Sequence, residues 1–325
     1  MNEQLFISDL TKNYTKVFNY TGGHPNIETC LSIAAQYTIA NREYSGVAQE
    51  EIINKLRNKD PFYSPFWTLL SNNSLRQKLA AYLILSGDIE AKLVKAKKGE
   101  ELLDSCGFDK SPYRSFASFF VEDTAHAIRV NALHRELKKR QRWLTRASDL
   151  PFIVLLTKNS NEQSEKQAES IHHYYQVLTK YDFKTGDSLQ ALAQLLTVYK
   201  VDYVEELALY VKQLKLELEQ RNVKMKRKYY PFLGVLAIIA TDTQLIEQIV
   251  SCTKALQESS VLKGMKEMAF ILAVQKFVQE YKEHIMMTSE KLDYTLLVDF
   301  MDMFFHFPGI AIEGIGSLLE IEFPF

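Results

Sequence analysis

The chain has 325 residues, 39 Lys+Arg against 40 Asp+Glu, and only 12 Gly and 8 Pro. So little Gly and Pro excludes collagen-like, loop-rich and low-complexity classes, and disfavours an all-β protein with many tight turns. A net charge of −1 gives no general attraction to nucleic acid or anionic membrane.

At the N-terminus no basic segment precedes an apolar run, so no signal peptide is expected. Residues 2–19, 27–40 and 48–57 read as three helices, a cap or a divergent first repeat. Gly22-Gly23-His24-Pro25 and Asp60-Pro61-Phe62-Tyr63-Ser64-Pro65 punctuate them.

From there a short pattern recurs: apolar, small, any residue, two apolar. It appears as Leu79-Ala80-Ala81-Tyr82-Leu83 and Phe116-Ala117-Ser118-Phe119-Phe120. Phe152-Ile153-Val154-Leu155-Leu156 keeps all but the small residue. Leu192-Ala193-Gln194-Leu195-Leu196, Leu233-Gly234-Val235-Leu236-Ala237 and Met268-Ala269-Phe270-Ile271-Leu272 complete the set. Steps of 35–41 residues fit a helix pair with two short connections. A small residue at the second place lets a neighbouring helix approach closely.

Long Pro-free stretches lie between the copies, at 89–106, 124–143, 162–181, 203–220 and 243–258. In the fourth, Val204, Leu207, Val211, Leu214 and Leu218 mark one helical face. Leu209 and Leu216 form a second, thinner apolar line that a helix between two neighbours could bury. Asp187 or Ser188 is expected to cap the helix after Gly186. The expectation is an all-α protein, an α-solenoid-like array of antiparallel helix pairs. Residues 1–71 would form the N-terminal cap or divergent repeat, 72–280 the array, and 281–325 a C-terminal cap.

Three stretches resemble a bacterial family catalogued as domain of unknown function four thousand and three. Asp182-Phe183-Lys184-Thr185-Gly186-Asp187-Ser188-Leu189-Gln190-Ala191-Leu192 is similar to its Gly-Phe-Lys-x-Gly-Asn-x-Leu-Gln-x-Leu segment. Tyr230-Pro231-Phe232-Leu233-Gly234-Val235-Leu236-Ala237 is similar to its Tyr-Pro-x-x-Gly-x-Leu-Ala segment. Trp143-Leu144-Thr145-Arg146-Ala147-Ser148-Asp149 resembles a His-Pro-Phe-Leu-Thr-x-x-Asp-Asp segment, with the His-Pro pair absent and one Asp matched. The resemblance implies a bacterial, soluble, helical protein and supplies no catalytic residue.

Motifs that carry chemistry are sparse. Glu169 and His172 have the Glu-x-x-His spacing of di-iron bundles, without a second copy, so a surface pair is expected. Glu122 and His126 are read the same way. Nucleophile elbow, Walker loop and His-Glu-x-x-His motif are absent. Cys30, Cys106 and Cys252 lie far apart and are expected to be buried reduced thiols. No catalytic, cofactor or metal residue is assigned, and no cofactor is expected.

Charge is uneven. Residues 89–146 carry 13 Lys+Arg against 8 Asp+Glu. Arg135, Lys138, Lys139 and Arg142 fall opposite Val130, Leu133 and Leu137 on one helix. With Arg146, and with Lys95 and Lys98 from the previous helix, they form a candidate basic strip for an acidic peptide, phosphate or RNA backbone. A merely solvated helix face is the competing reading. Residues 286–325 carry seven Asp+Glu and one Lys amid apolar runs such as Phe300-Met301-Asp302-Met303-Phe304-Phe305. A cap over the last repeat, or a docking segment, is expected there.

The function expected is a cytoplasmic, non-enzymatic helical-repeat scaffold for a protein or peptide, without a membrane span. Binding of nucleic acid or a phosphate ligand through the strip is the first alternative. An enzyme with a non-contiguous site in a helical cleft is the second.

Overall fold

The computed structural model describes residues 2–23, 26–57, 66–142, 144–158, 163–239, 243–288 and 300. Every regular element among them is helical. In chain order these are α1 (Glu3–Thr21), α2 (Ile27–Ile39), α3 (Gly46–Arg57), α4 (Trp67–Leu70), α5 (Asn73–Ser86), α6 (Ile89–Ser105) and α7 (Pro112–Ala117). Then come α8 (Thr124–Arg140), α9 (Leu150–Leu156), α10 (Ser164–Lys180), α11 (Asp187–Tyr199), α12 (Glu205–Gln220), α13 (Tyr230–Ile239), α14 (Thr243–Glu258) and α15 (Met268–Thr288). No helix among the described residues is long and apolar enough to cross a membrane. The chain forms two compact units: 1–119 with 248–282, and 120–247 with 283–325.

Helix starts follow local chemistry. Asn26, Asn72, Asp88, Ser111 and Asp123 each accept a backbone N–H from the first turn of the helix they precede. Such caps satisfy donors that the helix itself leaves orphaned. The helix after Gly186 departs from this. Gly186 itself is the cap, without a side-chain bond, and Asp187 is already the first helical residue. The carbonyl of Gly186 takes the N–H groups of Leu189 and Gln190, so no side chain is needed there.

In the first unit α1 packs on α2, and α5 lies against α2, α3, α4 and α6. Asn13 of α1 is buried and fully used. Its amide donates to Thr38 Oγ1 and the Arg42 carbonyl, and its oxygen accepts the Tyr44 N–H. Gly99 of α6 touches the chain just after α7. A Cβ there would stand 2.2 Å from the Ser118 carbonyl oxygen, so only glycine permits that approach. The first helix also meets the C-terminal part of the chain. Lys276 of α15 lies 6.0 Å from the Phe6 ring centroid, and Ser251 Oγ donates to Glu3 at 3.3 Å.

In the second unit α8, α10 and α12 follow one another, and α9, α11 and α13 pack against them and each other. The two sets differ in burial. In α12 only Leu207, Ala208, Val211, Leu214 and Leu218 are buried, whereas every residue of α9 and α13 is. The second apolar line on α12 is not buried: Leu209 and Leu216 are 38% and 48% exposed. Between α11 and α13 the repeated pattern meets itself. A Cβ on Gly234 would come within 2.7 Å of Leu192 Cδ1, so a larger residue there asks the Leu192 side chain to shift. Cys30 and Cys252 are buried, while Cys106 is half-buried at the C-terminal end of α6. The acidic aromatic segment expected at 286–325 lies outside the described residues, apart from the end of α15 and Phe300. The Phe300 ring is buried 5.8 Å from that of Phe152.

Candidate functional site

The segments singled out by resemblance converge in the second unit. A 3-10 turn, Ala147–Asp149, leads into α9. Its last residue, Asp149, is 7% exposed, and its Oδ2 accepts the Arg146 backbone N–H at 2.7 Å. On α11, Asp187, Gln190 and Gln194 are spaced i, i+3, i+7, which places them on one helical face. Gln194 turns its amide toward Asp149, and the Asp187 charge is felt there too. Gln190 and Gln194 are 0% exposed, yet no amide atom of either makes a well-formed hydrogen bond among the described residues. Arg146 reaches outward to Asp187, Nη1 to Oδ2 3.8 Å.

Tyrosines hold the loop that leads into α11. Tyr230 Oη accepts the Lys184 N–H, and Tyr175 Oη accepts the Gly186 N–H. The Phe183 ring meets Tyr230 edge-on at 4.9 Å. The Tyr-Pro segment therefore buttresses the loop, and the loop sets the start of the Asp187–Gln194 face.

Burial pushes the Asp149 carboxyl up to about 7, aided by Asp187 and opposed by the Arg146 N–H and the Gln194 amide. A buried carboxyl in that range takes and gives a proton near neutrality. Asp187 and Arg146 sit at the edge of the cluster, part-exposed and exposed, and form its approach from solvent.

The basic strip is placed as follows. Arg135, Lys138, Lys139 and Arg142 are exposed along the last turns of α8 and just beyond, and Arg146 is exposed in the following loop. Lys95 and Lys98 are exposed on α6, in the other unit. Lys139 pairs with Glu136, which also binds Arg140 at 2.7 Å. Arg135, Lys138 and Arg142 make no ion pair among the described residues. Ile128, seven residues before Arg135, is 60% exposed on the same side of α8.

One of the two histidine pairs differs from its sequence reading. Glu122 and His126 are no surface pair, because His126 is wholly buried. Its Nε2 donates to the Val154 carbonyl at 2.9 Å while Nδ1 accepts the Glu122 backbone N–H at 3.2 Å. Burial depresses its pKa, so the ring is neutral. Arg129, one turn on, donates to the Thr157 and Lys158 carbonyls. Together they bind carbonyls from the end of α9, which the helix leaves unpaired. His172 lies between Gln141 and Gln176, at 3.2 and 2.8 Å, and Glu169 is exposed. Among the described residues no three His, Cys, Asp or Glu side chains gather as if to hold a metal ion.

The family model described as "Protein of unknown function (DUF4003)" matches residues 13–299. The chain belongs to that family. A relative is "Uncharacterized protein YeaA" of Bacillus subtilis (strain 168), 28% identical over 153 residues. The match takes in 47% of this chain and 45% of that protein, so it spans less than half of either. No solved structure matches. Within this DUF4003 chain, Asp149 and the Gln190–Gln194 pair are what motif reasoning overlooked. The available signal was a polar stripe, Asp187–Gln190–Gln194, in a helix whose other residues are nearly all apolar.

Proposed function

We propose that this chain is a non-catalytic helical-repeat protein that holds an acidic protein or peptide partner along α8. The observation that carries the reading is the exposed face of Ile128, Arg135, Lys138 and Arg142, three cations without ion-pair partners beside a bare apolar side chain. An apolar side chain at one end of a row of cations suits a peptide with one large apolar residue followed by Asp and Glu. The proposal includes antiparallel helix pairs stacked as a solenoid-like array over 72–280, flanked by N- and C-terminal caps at 1–71 and 281–325. The Gly234–Leu192 contact, where two copies of the pattern meet, supports the repeat. A cytoplasmic setting is proposed with it.

The test is fluorescence anisotropy with acidic peptides carrying one Leu or Phe. Binding is expected, falling steeply with salt and at least tenfold weaker in the triple variant Arg135→Ala, Lys138→Ala, Arg142→Ala. Single-stranded RNA and a phosphopeptide run alongside. Preference for RNA would replace the peptide reading with the nucleic-acid one. No salt-dependent binding of any of these would remove the strip from the function.

One observation favours a second reading, an enzyme with its site at Asp149: a buried carboxyl at about 7 beside the buried amides of Gln190 and Gln194. Turnover in a metabolite screen, abolished by Asp149→Asn and with a pH profile inflecting near 7, would establish it. Turnover equal in both proteins would dismiss it.

A further inference from the structure

In the first unit a pocket of about 220 Å³ opens where the start of α1 meets α15 and the 248–258 part of α14. It is smaller than the roughly 300 Å³ at which drug-sized sites begin. Two carboxylates line it from different helices, Glu3 from α1 and Glu280 from α15. Among the described residues one cation lines it, Lys276, and its Nζ is bonded to Glu280 at 2.6 Å. The partner of Glu3 among them is the Ser251 hydroxyl, at 3.3 Å. Of the described lining residues, carboxylates therefore outnumber cations by one. The remaining wall is mixed: the amides of Asn2 and Gln248 line it beside the apolar Ile249, Ala273 and Phe277. Cys252 lines it as well, 5% exposed, and its thiol has no hydrogen-bond partner among the described residues.

We propose that this pocket binds a small organic amine, its ammonium on Glu3 and its carbon chain against Ile249 and Phe277. The chemistry disfavours other ligand classes. A divalent metal ion asks for several hard oxygen ligands around a tight centre, whereas here the Lys276 ammonium already holds Glu280, and a thiol and a phenyl ring share the wall. An anion would face a net negative lining. An uncharged alcohol would leave the Glu3 charge without a partner. An ammonium meets that charge, and an aromatic ring in the same wall adds attraction for a cation. Because Glu3 belongs to the first helix and Phe277 to α15, the bound amine would link the two ends of the described chain within this unit.

The experiment is calorimetric titration of the full chain with butylamine and 1,4-diaminobutane, with butyrate and butanol as controls. Both amines are expected to bind, and the controls are not. Glu3→Gln should weaken amine binding at least tenfold. Asp9→Asn, on the same helix but outside this pocket, should change it less than twofold. A second readout covers the chance that a variant is damaged. In a Cys106→Ser background, amine should slow thiol-reagent labelling of Cys252 in the otherwise unaltered protein. No binding at millimolar amine, equal binding of butyrate, binding indifferent to Glu3→Gln, or Cys252 labelling unaffected by amine would each overturn the proposal.

Discussion

In the first unit Arg114 and Glu100 are both almost wholly buried, with Arg114 Nε 2.7 Å from Glu100 Oε2. Arg114 also reaches Asp104 at 2.6 Å and donates to the Phe108 carbonyl. In the second unit Asp149 is buried as deeply, but the guanidinium of its neighbour Arg146 turns away to Asp187. One region sets an opposite charge against its buried carboxyl, although burial still raises the Glu100 pKa. The other gives its carboxyl a backbone N–H and a glutamine. The compensated set fastens α6 to α7 and explains itself as architecture. The uncompensated one leaves a carboxyl whose protonation responds near neutral pH, which architecture alone does not require.

The largest effect should come from breaking the compensated side. Arg114→Met strands the Glu100 charge in the interior, where loss of one partner typically costs about 3–5 kcal/mol. Urea denaturation measures it. Replacing both partners, Arg114→Met with Glu100→Leu, should recover most of the loss, since an apolar pair of similar volume leaves no buried charge. If the double variant is as unstable as the single one, the hydrogen bonds to Phe108 and Asp104 matter more than the ion pair.

Asp149→Asn probes the other side. The folded carboxyl titrates at about 7 instead of 3.8, so the folded state binds more protons between those values. The contribution of Asp149 to stability is therefore fully present below pH 3.8 and is lost as pH rises through 7. Asparagine removes that dependence. The variant should match the parent near pH 3.8 and exceed it above pH 7, by on the order of 4 kcal/mol. Parallel stability–pH curves for the two proteins would show that Asp149 is not held up by burial.

How legible these regions were in the sequence follows from what spacing can encode. The stretch 124–143 was expected as a helix, and α8 runs Thr124–Arg140. The stretch 203–220 became Glu205–Gln220. Period and composition fix such helices because each buries one stripe. The small residue of the short pattern has a counterpart in the packing, since Gly234 of α13 lies against Leu192 of α11. Spacing does not tell which distant segment a face will meet. Asp187 looked like a cap because a polar residue follows Gly186, but it begins a stripe that faces Asp149. His126 looked like half of a surface pair, though its ring fastens the end of α9. Leu209 and Leu216 looked ready for a neighbour and remain exposed. Resemblance pointed closer to the site than periodicity did: Asp149, Asp187 and Gln190 all lie in its quoted segments. The nearest approach of those segments is a property of the packed chain.

Lys78 sharpens the contrast further, because it places an uncompensated cation in the first unit. It lies in α5, 3% exposed, with no ion pair or hydrogen bond among the described residues. Burial pulls its pKa from 10.5 down to about 8, and the Glu28 charge opposes this. The unfolded chain binds the proton up to 10.5 and the folded chain only up to 8. Stability therefore rises with pH through that window, and at pH 7 the charged side chain is a net burden of on the order of 3 kcal/mol. Lys78→Met keeps the length and removes the charge. It should raise stability at pH 7 by about that amount, with the gain shrinking above pH 8 and gone near 10.5. Glu28→Gln should lower stability slightly at pH 7, because it removes the favourable charge. A gain that persists unchanged to pH 10.5 would mean that packing, and not the charge, sets the cost. No gain at all would mean that the ammonium reaches water, leaving Asp149 as the uncompensated interior charge.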